Sequence, residues 1–139
     1  MSDITPFKIS IPDSQLTDLK LRLSLTRFPD KETPPDWSQG IPLDYMHKVK
    51  DYWQNTYHWP DREALLNRWP GFKTELQGLG VHFLHIRSNH EGARPLLMTH
   101  GWPGSIVEFQ KTIEPLTNPT AHGGTADQAF HIVCPTLPG

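Results

Sequence analysis

The sequence predicts an α/β protein, a helical preface leading into the first strands of an α/β sheet, and two observations carry that reading. The hydrophobic period changes from about 3.6 residues to 2 near Phe72, which is the switch from helix to strand. Farther on, an apolar run over residues 95–99 stops on His100-Gly101-Trp102-Pro103-Gly104-Ser105, and helical spacing follows over residues 105–116. A strand, a tight glycine-containing turn and a helix form the arrangement by which α/β proteins hold backbone N–H groups out toward a ligand or a developing negative charge. A functional site is expected there.

The elements follow in order. Residues 7–11 alternate apolar and polar side chains, and Pro12-Asp13 introduces a helix with Leu16, Leu19 and Leu23 on one stripe, capped by Asp13 or Ser14. It should end near Arg27, because Phe28-Pro29 and Pro34-Pro35 cannot continue a helix. Residues 28–41 read as an ordered loop. Pro42 opens a second helix whose Tyr45, Val49, Tyr52 and Trp53 share a face to about Thr56. Asp61 caps a short third helix with Ala64, Leu65 and Leu66, which stops before Pro70-Gly71. Phe72, Thr74 and Leu76, then Val81 and Phe83, alternate with polar neighbours around Gly78-Leu79-Gly80, which predicts a β-hairpin ending near Arg87. Next come a polar loop, a short buried strand over residues 95–99, the helix over residues 105–116, a loop over residues 118–128, and a β-rich run over residues 130–134.

The chain has 139 residues, so length alone allows one domain, and 36% apolar content supports an ordinary core. Its 14 prolines keep every element short. The net charge of -2 spreads over 13 basic and 15 acidic side chains, so no single-sign field draws nucleic acid or anionic lipid. Cys134, the sole cysteine, sits in an apolar run, reads as a buried strand thiol and fits a reducing compartment. With no signal-peptide pattern and no 18-residue apolar stretch, the expectation is a cytoplasmic protein without a membrane partner. An open sheet that stops after residues 130–134 lacks the further strand and helix units that cover such a sheet, so the sequence reads as truncated, with an edge ready to pair.

Within the turn, Gly101 permits a sharp departure from the strand and Pro103 restricts Trp102 to extended backbone. The Trp102-Pro103 bond is one of the few that could be cis, at about 0.5–1 kcal/mol. A simple strand-to-helix turn with Trp102 as a packing residue has the same local signature. Other constellations are weaker. His82 and His85 stand three apart in a strand and so face opposite ways, and His90 lies in the next loop, which argues against a metal site. Tyr45, Tyr52, Trp53, Tyr57 and Trp59 suggest a helix face packed on the sheet or lid more simply than a binding platform. Asp127 reads as a solvated loop carboxylate. No phosphate-binding loop or dinucleotide fingerprint is present.

The run from His100 to Ser105, Glu108 and Phe109 after it, the later Cys134-Pro135-Thr136-Leu137-Pro138-Gly139, and the segments 7–23 and 69–83 together resemble epoxide hydrolases of the microsomal type. These are α/β-hydrolase-fold enzymes with an N-terminal helical extension. The resemblance covers nearly the whole chain, and it assigns residues 1–70 to the extension and 71–139 to the start of the α/β-hydrolase domain. It implies a covalent mechanism without a cofactor or metal. An aspartate opens the epoxide while tyrosines protonate the ring oxygen, and a histidine paired with an acid activates water to hydrolyse the alkyl-enzyme ester to a vicinal diol. The position matching Trp102 supplies a backbone N-H to the oxyanion hole, worth roughly 2.7–4 kcal/mol in comparable acyl chemistry. His100, Gly101, Pro103 and Gly104 shape the turn.

No Gly-x-Asp-x-Gly or Gly-x-Ser-x-Gly elbow occurs in the 139 residues, so the nucleophile is absent; the resemblance implies that the lid tyrosines, acid and base also lie beyond Gly139, and this chain alone is expected to be inactive. The implied partners are an epoxide, water, and the rest of the hydrolase domain or a second chain, with homo-oligomers also open. Two alternatives stand beside this reading: a non-catalytic piece that completes its sheet with another chain, and part of an esterase or dehalogenase of the same fold.

Overall fold

The structure, a computed structural model, describes residues 3–138. The chain forms two compact units. One, Ser10–Arg62, is helical, and the other combines the N-terminal residues up to Ile9 with everything from Glu63 onward.

In the helical unit, α1 (Asp13–Ser24) and α2 (Leu43–Asn55) each begin behind a proline, Pro12 and Pro42, whose backbone is extended. The expected side-chain cap on α1 is not formed: Pro12 occupies the cap position and Asp13 sits in the first turn, where its charge faces the positive end of the helix dipole. The helix stops at Ser24, short of Arg27. The loop before α2 is pinned by the Leu43 N–H, which donates to Glu32 (2.9 Å), and by Lys31 Nζ on Asp44 (2.7 Å). The boundary between units falls within α3 (Trp59–Leu66).

The sheet unit carries five strands among the described residues, in the order β1-β2-β3-β5-β4. β1 (Thr5–Phe7) pairs antiparallel with β2 (Gly71–Leu76), and β2 with β3 (Leu79–Ile86). The hairpin turn is Gln77-Gly78, both at positive φ (54° and 79°), the geometry that matches strand twist in a two-residue turn. β3 runs antiparallel to β5 (Phe130–Pro135), and β5 runs parallel to β4 (Arg94–Leu97). Asn67 fastens the chain just past β1 by two hydrogen bonds to one residue, its Oδ1 accepting from the Ile9 N–H (2.9 Å) and its Nδ2 donating to the Ile9 carbonyl (2.7 Å).

The core follows from this order. Alternate residues of the two strands at the sheet's centre, Leu84 and Ile86 on β3 and Ile132 and Cys134 on β5, are buried together with Ile106 and Ile113. Burying one such side chain contributes about 1.5–3 kcal/mol. Burial also pushes the Cys134 thiol up to about 11.

Two expectations are corrected here. The strand predicted as buried over residues 95–99 is β4, Arg94–Leu97, an edge strand with Leu97 66% exposed, because among the described residues it pairs only with β5. The helix predicted over residues 105–116 is two pieces, a 3-10 turn over Ile106–Phe109 and α4 (Ile113–Thr117). Pro115 explains the break: it has no N–H to give, and its ring crowds the carbonyl four residues back, so it is accommodated only in the first turn of a fresh helix.

Candidate functional site

The His100–Ser105 turn lies at the C-terminal end of β4. The parallel ladder continues one residue past the strand, with the Met98 N–H on the Val133 carbonyl at 2.9 Å. Beyond it the chain turns: the Trp102-Pro103 bond is cis, and Ser105 closes the turn by capping Ile106–Phe109, its Oγ accepting from the Val107 N–H at 3.2 Å. Trp102 is 93% exposed, so among the described residues it packs against little. Its N–H has no hydrogen-bond partner among the described residues and remains a free donor at the sheet's rim.

The glycines differ from expectation. Gly101 is outside the left-handed region and a Cβ there would meet nothing within 4 Å. The sterically constrained position is Gly104, where a Cβ would overlap the Glu108 carboxylate and come within 2.6 Å of the Gly101 carbonyl oxygen. The Glu108 side chain therefore lies over the turn.

His100 is the buried member of the motif, 7% exposed. Its Nδ1 lies 2.9 Å from the Gly101 carbonyl oxygen, and its Nε2 accepts from the Leu137 N–H at 3.1 Å. The residue before, Thr136, is held from the other side: its N–H donates to the His82 carbonyl (2.8 Å), and its hydroxyl is 2.9 Å from His82 Nδ1. Because β4 and β5 are parallel neighbours, both end at one side of the sheet, and the turn after β4 meets the segment after β5. These cross-links were missed in the sequence; the only signal was the second proline-rich run, residues 134–139, at the end of a strand.

The other candidates lie apart. His82 packs edge-on against Phe7 (5.2 Å between ring centres), and burial, then the charge of Lys73, lowers its pKa. His85 tilts toward Phe72 (6.3 Å), with its pKa lowered by burial first and then by Arg87 and His131. No group of three His, Cys, Asp or Glu residues that could hold a metal ion occurs among the described residues. Asp127 is exposed, and its hydrogen bond with Thr125 lowers its pKa. On the aromatic face of α2, Tyr45, Tyr52 and Trp53 are 47%, 51% and 46% exposed. Tyr52 and Trp53, with Leu16 and Leu19 of α1, border a groove of about 770 Å³ in the helical unit. No helix among the described residues is long and apolar enough to cross a membrane.

Comparison with known proteins agrees with this fold. The family model for the epoxide hydrolase N terminus matches residues 4–109. A putative epoxide hydrolase of Stigmatella aurantiaca is 59% identical over 136 residues, 98% of this chain and 31% of that protein. Epoxide hydrolase 1 of Sus scrofa is 37% identical, with 98% and 31% covered. Among solved structures, the Aspergillus niger epoxide hydrolase superposes with a TM-score of 0.81 at 36% identity, covering 98% of this chain and 35% of that one. The juvenile hormone epoxide hydrolase of Bombyx mori gives 0.87 at 33% identity, covering 99% and 37%. The chain thus spans about a third of the length of the relatives it matches. With an α/β-hydrolase sheet, a strand-end turn that frees a backbone donor, and a family match over most of its length, the chain belongs to the epoxide hydrolase family and corresponds to its N-terminal portion.

Proposed function

We propose that this chain supplies half of an oxyanion hole, the Trp102 N–H, to an epoxide hydrolase whose nucleophile, acid and base come from the part of the enzyme that its relatives carry beyond this length. The observation that carries the reading is the unengaged Trp102 N–H at the end of β4, on a turn braced by Gly104 under Glu108. In the reaction a carboxylate attacks an epoxide carbon, the C–O bond breaks, and the ring oxygen takes a proton. Water then adds to the ester carbonyl, and the negative charge gathers on the carbonyl oxygen before the diol leaves and the carboxylate is restored. Trp102 serves this second step. His100, Pro103 and Gly104 set the turn's shape. The exposed edge of β4 receives the strand that brings the nucleophile, which gives the sheet its missing neighbour. The lone cysteine, buried in β5, fits a cytoplasmic enzyme.

The test separates the backbone donor from the side chain in the complete enzyme. Trp102→Pro deletes the N–H and should lower kcat for diol formation by about 10²–10³-fold. Trp102→Ala keeps the N–H and should leave kcat within about ten-fold of the parent, its main effect falling on KM. Equal kcat in parent and Trp102→Pro contradicts the assignment. Diol formation by the 139-residue chain alone contradicts the division of labour.

A further inference from the structure

His100 joins two loops that the sequence keeps 37 positions apart. A backbone N–H can only donate, so the contact from Leu137 at 3.1 Å requires a lone pair on His100 Nε2. The ring's single proton is then on Nδ1, and there it meets an acceptor, the Gly101 carbonyl oxygen at 2.9 Å. The two contacts therefore specify one tautomer. With the side chain 7% exposed, water is a poor substitute for either partner. The Gly101 carbonyl belongs to the peptide unit whose nitrogen is the Trp102 N–H, so orienting that carbonyl orients the donor at its other end.

We propose that His100 is a positioning residue, an Nδ1–H imidazole that latches the peptide between Gly101 and Trp102 to the Leu137 amide and so fixes the direction of the Trp102 N–H. Leu137 is itself held in place, because Thr136 beside it is gripped by His82 through both the backbone and the side chain. The turn after β4 is thereby referenced to β3 and β5, the rigid centre of the sheet, rather than to its own exposed strand. The latch stands on these contacts alone; its effect on turnover rests on the oxyanion reading above.

The experiment uses the complete enzyme labelled with ¹⁵N at histidine, with His100→Phe, which keeps a planar ring and removes both nitrogens, and His100→Gln, which restores an acceptor that reaches toward Leu137. In the parent, the proton should be found on Nδ1 of His100, and the Leu137 amide should be protected from hydrogen exchange. In His100→Phe, Leu137 protection should fall at least about ten-fold. Its kcat should fall on the order of 10²-fold with KM within about two-fold, the pattern of a misplaced catalytic donor. His100→Gln should recover part of both. A proton on Nε2 in the parent, or unchanged Leu137 protection in His100→Phe, overturns the latch. If His100→Phe does not fold, the parent's tautomer and the His100→Gln exchange rate still decide. If the parent enzyme makes no diol, the oxyanion reading fails, while the tautomer and exchange results judge the latch separately.

Discussion

β4 and β5 are neighbours in one parallel ladder, yet they do opposite work. β5 lies between two partners and buries Ile132 and Cys134 completely, whereas β4 has one partner and leaves Leu97 66% exposed. The buried strand fixes a frame. The edge strand ends in a turn that frees a backbone donor, and the donor is aimed by contacts to residues just past β5. In the proposed reading, stability rests on β5 and the oxyanion donor on the turn after β4, and that turn is braced through contacts to the segment after β5.

The sharpest contrast is packing. Ile132→Ala opens a cavity where no side-chain surface reaches solvent and should lower unfolding stability by about 2–5 kcal/mol in urea. Leu97→Ala on the adjacent strand should cost less than about 1 kcal/mol. Equal costs would break the comparison. A smaller contrast lies within the turn. Gly104→Ala forces apart the Glu108 side chain and the Gly101 carbonyl, and overpacking of this kind typically costs about 1–3 kcal/mol. Gly101→Ala meets open space and should be within about 0.5 kcal/mol of the parent. Thermal unfolding of the two variants side by side checks this.

The smallest effects are in pH dependence. The Cys134 thiol titrates at 9.0 in its ordinary state and about 11 when buried, so the folded chain binds more protons between these values and its stability should fall as pH rises from 9 toward 11. Cys134→Ala should lose that alkaline slope. For His82 and His85 the sign is reversed. Burial lowers their pKa below 6.5, so the folded state binds fewer protons, and the stability that their neutral forms contribute is present above 6.5 and declines as pH falls below it. Urea midpoints from pH 5 to 10 report both slopes. A flat profile would sever the link between the central strands' burial and their titration.

Much of this was legible from local pattern. The period-2 alternation from Phe72 to Phe83 located the hairpin, and the shared spacing of Tyr45, Val49, Tyr52 and Trp53 located α2. The His100–Ser105 run marked the turn at the end of β4. Pattern failed where the deciding contact was distant or absent. Nothing near residues 95–97 says that β4 is an edge, because burial there depends on a partner strand rather than on the strand's own composition. Pro115 was visible in the sequence and should have split the helix over residues 105–116. Gly101 drew attention as the glycine next to the strand, while the steric need at Gly104 depends on where the Glu108 side chain returns. The links from His100 to Leu137 and from His82 to Thr136 bridge separations that no periodicity encodes.

The most direct test of the central claim is a single-turnover experiment on the complete enzyme, following the alkyl-enzyme ester in the parent and in Trp102→Pro. If the Trp102 N–H stabilises charge during ester hydrolysis, ester formation proceeds at the parent rate while its breakdown slows by about 10²–10³-fold and the ester accumulates. Breakdown at the parent rate, or a loss confined to ester formation, would contradict it.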